Sequence, residues 1–138
     1  MKQFIDQIAV DTNGISLIEI TDKLKQFVTD KKITMGLLTV FIKHTSASLT
    51  ISENADPDVK KDMINIFKKL APDDENYFHS SEGIDDMPAH IKTSLTSVQL
   101  SIPVMNRHMT LGTWQGVYLF EHRSHPHKRH IVLHLTGE

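Results

Sequence analysis

The chain has 138 residues, no cysteine and a formal net charge of -2, which predicts one domain over 1–138 without disulfides or thiolate metal ligands. No global field draws it to nucleic acid, and no stretch approaches the roughly 20 apolar residues of a membrane span. Asp6 and Asp11 break the N-terminal apolar residues, so no signal peptide is expected and a cytoplasmic protein is.

Residues 3–10 have strand content, Asn13-Gly14 offers a tight turn, and Ile15, Leu17, Ile18 and Ile20 form a return strand, so the chain is expected to open with a hairpin. Thr21 is placed to cap a helix running to about Lys31, with Leu24, Phe27 and Val28 on one face. Over 35–43, Leu37, Leu38, Val40, Phe41 and Ile42 show no alternation, which predicts a strand covered on both faces. A short strand follows around 48–51. Asp56-Pro57-Asp58 is a helix start, with Val59, Met63, Ile66, Phe67 and Leu70 as its buried stripe. A polar loop over 75–86 leads to a short helix from Met87 to Leu95. Strands are expected over 98–103, 109–111, 113–123 and 129–136, with a turn at Asn106-Arg107. The fold class is α+β: a mainly antiparallel sandwich or barrel-like core with two or three helices.

The apolar strand ends in His44, Thr45, Ser46, Ser48, Glu53, Asn54 and Asp56. Polar groups so placed cost desolvation energy unless they are bonded or bind a guest. Ser46, Ser48 and Thr50 share one face of an extended backbone; alone they are ordinary cross-strand partners. Glu53, Asn54 and Asp56 also suit turn and cap roles. The segment from His79 to His90 adds two histidines, Glu82 and the pair Asp85-Asp86. Three imidazoles, His44, His79 and His90, are a candidate metal set, although no HxH or HExxH spacing links them. Gly112 and Gly116 flank Trp114 and Gln115, where small residues permit close approach of a ligand. Glu121 is a candidate base or metal partner. The segment from His122 to His130 reads as a basic hairpin, either a solvated turn or a phosphate grip.

HTSASLTISENADPDV, EGIDDMPAHIKTSL and LGTWQGVYLFEHR with a final LTGE, in this order over nearly the whole chain, resemble the YjbQ family, described as secondary thiamine-phosphate synthases. The resemblance implies a homotrimer with polar pockets near its interfaces. It also implies a divalent cation, zinc or magnesium, at His44, His79 and His90, with Glu82, Asp86 and Glu121 as the catalytic acids. The implied substrate contacts are Ser46, Ser48, Glu53, Asn54, Trp114 and Gln115, with Arg123 and Arg129 steadying phosphates. The implied reaction joins a pyrimidine methyl diphosphate to a thiazole phosphate and releases pyrophosphate. A trimeric binding protein for phosphorylated heterocycles and a metal-dependent hydrolase are the alternatives.

Overall fold

The computed structural model describes residues 1–138. In chain order its elements are β1 (Lys2–Asn13), β2 (Ser16–Glu19), α1 (Thr21–Lys31), β3 (Met35–Ile42), β4 (Ala47–Glu53), α2 (Pro57–Leu70), α3 (Asp86–Leu95), β5 (Gln99–Met105), β6 (His108–Met109), β7 (Gln115–Glu121) and β8 (Pro126–Gly137). All strand pairs are antiparallel. One sheet has the order β1-β8-β3-β5-β6 and the other β2-β7-β4. The larger sheet curls into a half-barrel, giving the expected α+β class. No helix is long and apolar enough to cross a membrane.

Alternation places the core. Ile131, Leu133 and Leu135 of β8, Leu38, Val40 and Ile42 of β3, and Val117 and Leu119 of β7 are buried together with Leu24 and Val28 of α1. On its other face β7 presents Tyr118 and Phe120, which pack with Leu17 against Met63, Ile64 and Phe67 of α2. Asp56 caps α2 by accepting from Asp58 N at 2.9 Å, with Pro57 at the first helical position.

Several expectations change. The opening hairpin does not form, because β1 pairs along its full length with β8 whereas β2 pairs with β7. The Asn13-Gly14 turn instead carries the chain from one sheet to the other. Likewise, the basic 122–130 segment joins β7 to β8 across the two sheets, so it is no hairpin. Thr21 is the first residue of α1 and does not cap it; its hydroxyl donates to Glu19 Oε2 at 2.7 Å and accepts from Val117 N at 2.9 Å. In β3 only one face is covered within the chain: Met35, Leu37 and Phe41 point outward and are 63, 42 and 44 % exposed. The α2 stripe is also only partly covered, with Ile66 and Leu70 exposed.

Candidate functional site

Helix α3 sets Asp86 and His90 one turn apart on the same face, and the loop before it brings in His79. His79 Nε2 lies 2.6 Å and His90 Nε2 3.0 Å from Asp86 Oδ2, and ligand atoms of all three converge within 4.8 Å of one another. Asp86 is buried, whereas both imidazoles reach solvent.

Hydrogen-bond bookkeeping defines the chemistry of this cluster. His90 Nδ1 is 2.8 Å from the carbonyl oxygen of Thr45, which can only accept, so Nδ1 carries the proton. In the neutral ring Nε2 is then a bare lone pair facing a carboxylate oxygen. Two acceptors face each other stably only around a cation, either a proton on the ring or a metal ion. An imidazole whose far nitrogen donates to a backbone carbonyl is the usual arrangement of a metal-binding histidine.

Arg123 orients the carboxylate from behind. Its Nη1 donates to Asp86 Oδ1 at 2.5 Å, its Nε to Asp85 Oδ2 at 3.0 Å and its Nη2 to the Glu82 carbonyl at 2.9 Å. Ser124 adds two bonds to Asp85 Oδ2, from its backbone N–H at 2.9 Å and its hydroxyl at 3.0 Å. Burial opposes ionisation of Asp85, but these bonds outweigh it and hold its pKa at about 2. At Asp86 burial is again outweighed, by the His79 bond and the charges of His90 and Arg123, so its pKa is also lowered.

The three-imidazole expectation is therefore corrected to two imidazoles and a carboxylate. His44 stands outside the group, and its Nε2 accepts from His130 N at 2.9 Å, so that lone pair is taken. Burial first, then the adjacent charge of Arg129, keeps its pKa below the ordinary imidazole value. His44 instead lines a cavity of about 730 Å³ with Thr45, Ser46, Ser94 and Lys43, and His90 lies in the same wall.

Glu121 is corrected from base to anchor. Its fully buried carboxylate accepts from Thr12 Oγ1, from Arg129 Nε and Nη2, and from the backbone N–H groups of His122 and Arg123. Those bonds overcome the upward pull of burial and leave its pKa lowered, so no lone pair is left to take a substrate proton. Arg129 is correspondingly spent on Glu121 and on Ser46, to which Nη2 donates at 3.2 Å (carbonyl) and 3.0 Å (hydroxyl). Neither arginine is an open phosphate grip. Ser48 is fully buried between His122 Nε2 at 2.9 Å and Thr96 Oγ1 at 2.6 Å, away from any substrate. Of the expected acids, Glu82 alone has an exposed side chain.

The remaining expected contacts lie elsewhere. Glu121 pairs with Ala47 at one end of the β4–β7 ladder, and Gln115 with Glu53 at the other, a separation of roughly 20 Å at the rise of a strand. At the far end Glu53 Oε2 accepts from the N–H groups of Ala55 and Asp56. Asn54 bonds Glu19, Gln115 accepts from Gly112 N, and Trp114 is 62 % exposed. Gly116 serves packing here, since a Cβ would lie 2.7 Å from Glu19 Oε2.

Asp85, which shares Arg123 with Asp86, was missed as a site residue. Asp85 was readable as half of a carboxylate pair beside an arginine-bearing segment. Lys92 and His122 are also buried, Lys92 on α3, which lies over β4, and His122 against Phe120 and Ser48; no local pattern announces that packing.

The family model described as "UPF0047 protein YjbQ-like" matches residues 6–138. "UPF0047 protein sll1880" of Synechocystis sp. is 47% identical over 138 residues, covering 99% of this chain and 94% of that protein. "UPF0047 protein YjbQ" of Escherichia coli O157:H7 is 46% identical over 95% of this chain and 94% of its own length. Among solved structures, a YjbQ/UPF0047 protein from Clostridium acetobutylicum superposes with a TM-score of 0.88 at 34% identity, covering 95% of this chain and 99% of its own. A YbjQ-like protein of unknown function from Sulfolobus solfataricus gives a TM-score of 0.93 at 25% identity, with 99% of both chains covered.

Proposed function

Because the chain belongs to the YjbQ/UPF0047 family, we propose that it is a metal-assisted thiamine-phosphate synthase-like transferase joining a pyrimidine methyl diphosphate to a thiazole phosphate. The observation that carries the reading is the convergence of His79, Asp86 and His90 with the His90 proton fixed on the side away from Asp86. Those three residues would hold the cation, and two imidazole donors suit zinc better than magnesium. Held there, a divalent cation supplies Lewis-acid stabilisation to a departing diphosphate.

In the reaction the C–O bond between the pyrimidine methyl carbon and the diphosphate breaks, and the electron pair leaves with pyrophosphate. The lone pair of the thiazole nitrogen forms the new C–N bond. No proton is removed from the nucleophile, so the step needs no general base, in keeping with a Glu121 locked by hydrogen bonds. The cavity that shares His90 accommodates the diphosphate end, with Lys43 offering charge and Thr45, Ser46 and Ser94 offering polar contacts. The same locked Glu121 also favours a second reading, a binding protein for phosphorylated heterocycles whose synthase activity is incidental.

The outward apolar residues of β3, together with Met105 of β5, support a homotrimer in which copies cover this face. The cysteine-free composition fits a reducing cytoplasm. Purified protein given both phosphorylated precursors, with zinc or magnesium added, is expected to form thiamine phosphate, and Asp86→Asn to form far less. No product with either metal removes the transferase reading and leaves the binding one.

A further inference from the structure

At the far end of the small sheet lies a second cavity, about 840 Å³ in volume, between the start of α1, the β5–β6 turn and the segment leading into β7. It stands apart from the histidine–aspartate cluster. Lys23, Lys25 and Arg107 line it and none is engaged in an ion pair. His108 also lines it; its Nδ1 is bonded to the Asn106 carbonyl at 2.7 Å, which leaves Nε2 available. Against these cations stand two carboxylates, and Glu19 Oε2 is already bonded by Thr21 and Asn54. Elsewhere in the wall Gln115 uses its Oε1 on Gly112 N, so its amide N–H groups have no protein partner.

The turn between β5 and β6 carries the most informative feature. Asn106 and Arg107 are both left-handed, with φ of 51° and 68°, in the two-residue connection that Met105 and His108 close by pairing. Asparagine suits the first position, whereas glycine is the unstrained choice at the second. An arginine at a left-handed position carries backbone strain, which draws attention to its side chain. Its planar fork of donors matches phosphate oxygens better than any other side chain.

We propose that this cavity is a binding site for a small phosphate monoester, with Arg107 gripping the phosphate, Lys23 and Lys25 balancing its second charge, and Gln115 contacting the organic part. The proposal is independent of the transferase reading, because none of these residues touches the cation cluster.

The test is a titration of isotopically labelled protein, followed by NMR, with inorganic phosphate, glycerol 3-phosphate and glycerol. Both phosphates are expected to shift resonances of Arg107, His108 and Gln115, the ester binding more tightly, and glycerol to shift none. Arg107→Gly relieves the left-handed backbone and so keeps the fold; it is expected to weaken both phosphates at least tenfold. At the Arg107, His108 and Gln115 resonances, Asp86→Asn is expected to respond to them like the parent. Equal binding in Arg107→Gly, loss in Asp86→Asn, no tighter binding of the ester, or shifts confined to other residues each overturns the assignment.

Discussion

His90 Nδ1 lies 2.8 Å from the carbonyl oxygen of Thr45, forty-five positions earlier in the chain. That contact ties α3 to the connection between β3 and β4 and decides which nitrogen of His90 faces Asp86. The proposed metal-binding role of the cluster rests on it. Zinc-reconstituted protein is expected to lose stoichiometric metal in His79→Ala, His90→Ala and Asp86→Asn, and to keep it in His44→Ala, as read by elemental analysis. Loss of metal in His44→Ala equal to that in His90→Ala would restore the three-imidazole set.

Arg123 acts on that cluster through Asp86. Arg123→Ala is expected to weaken zinc affinity about 10–100-fold, the usual effect of removing a partner of a metal ligand. Competition with a chelating dye measures it. Arg123→Lys does not restore affinity, because an ammonium cannot span both aspartates and the Glu82 carbonyl. Unchanged affinity in both variants removes the role.

Glu121 and Arg129 form a fully desolvated pair. Removing one partner leaves a buried charge, so Glu121→Gln or Arg129→Met is expected to cost about 3–5 kcal/mol in urea unfolding. The double variant is expected to cost less than the sum of the two. A nearly neutral Glu121→Gln that abolishes turnover would return Glu121 to catalysis.

His122 sets an acid limb of stability. Burial, with the charge of Lys92 adding to it, pushes its pKa down to about 3 from 6.5. Its folded form therefore stays neutral where the unfolded chain takes up a proton. Stability attached to His122 is complete above pH 6.5 and falls as the pH drops from there towards 3, by up to about 1.4 kcal/mol per pH unit. His44, shifted in the same direction, contributes to the same limb. His122→Phe is expected to flatten the pH dependence of the unfolding free energy between pH 6 and 4; an unchanged slope contradicts the assignment.

The uncovered face of β3 is tested by charge. Leu37→Asp and Phe41→Asp point away from the core, so the fold is retained, judged by circular dichroism. Light scattering is expected to report about one third of the parent mass. A parent already at 15.7 kDa, or variants that stay assembled, excludes this face as the contact.

What the sequence revealed depended on the range of the interaction. Asp56-Pro57-Asp58, the extent of α1 and the strand content of the C-terminal half were readable because capping and periodicity are local. The opening hairpin was misread because Asn13-Gly14 marks a turn but does not say which strand pairs with which. The twelve residues of β1 find their match in the equally long β8. Asp86 and His90 were readable as neighbours by their helical spacing, and His79 by its loop. His44 and Glu121 were misassigned because the residues that saturate them, His130 and Arg129, arrive from the last strand. Polar residues look alike in sequence whether their hydrogen bonds end in the protein or in a guest.

The position of β8 governs how this molecule is made. It is made after the other ten elements, yet it sits between β1 and β3, with Lys2 paired to Gly137. Until β8 has been made, the larger sheet has no middle, and β1 and the far edge of β3 wait with unsatisfied backbone and bare apolar side chains. Completion of the sheet is thus late and dominated by distant contacts, the regime in which nascent chains aggregate. A chain halted before residue 126 keeps its small sheet's strands but loses the partner that shelters its first strand, making it a client for chaperones.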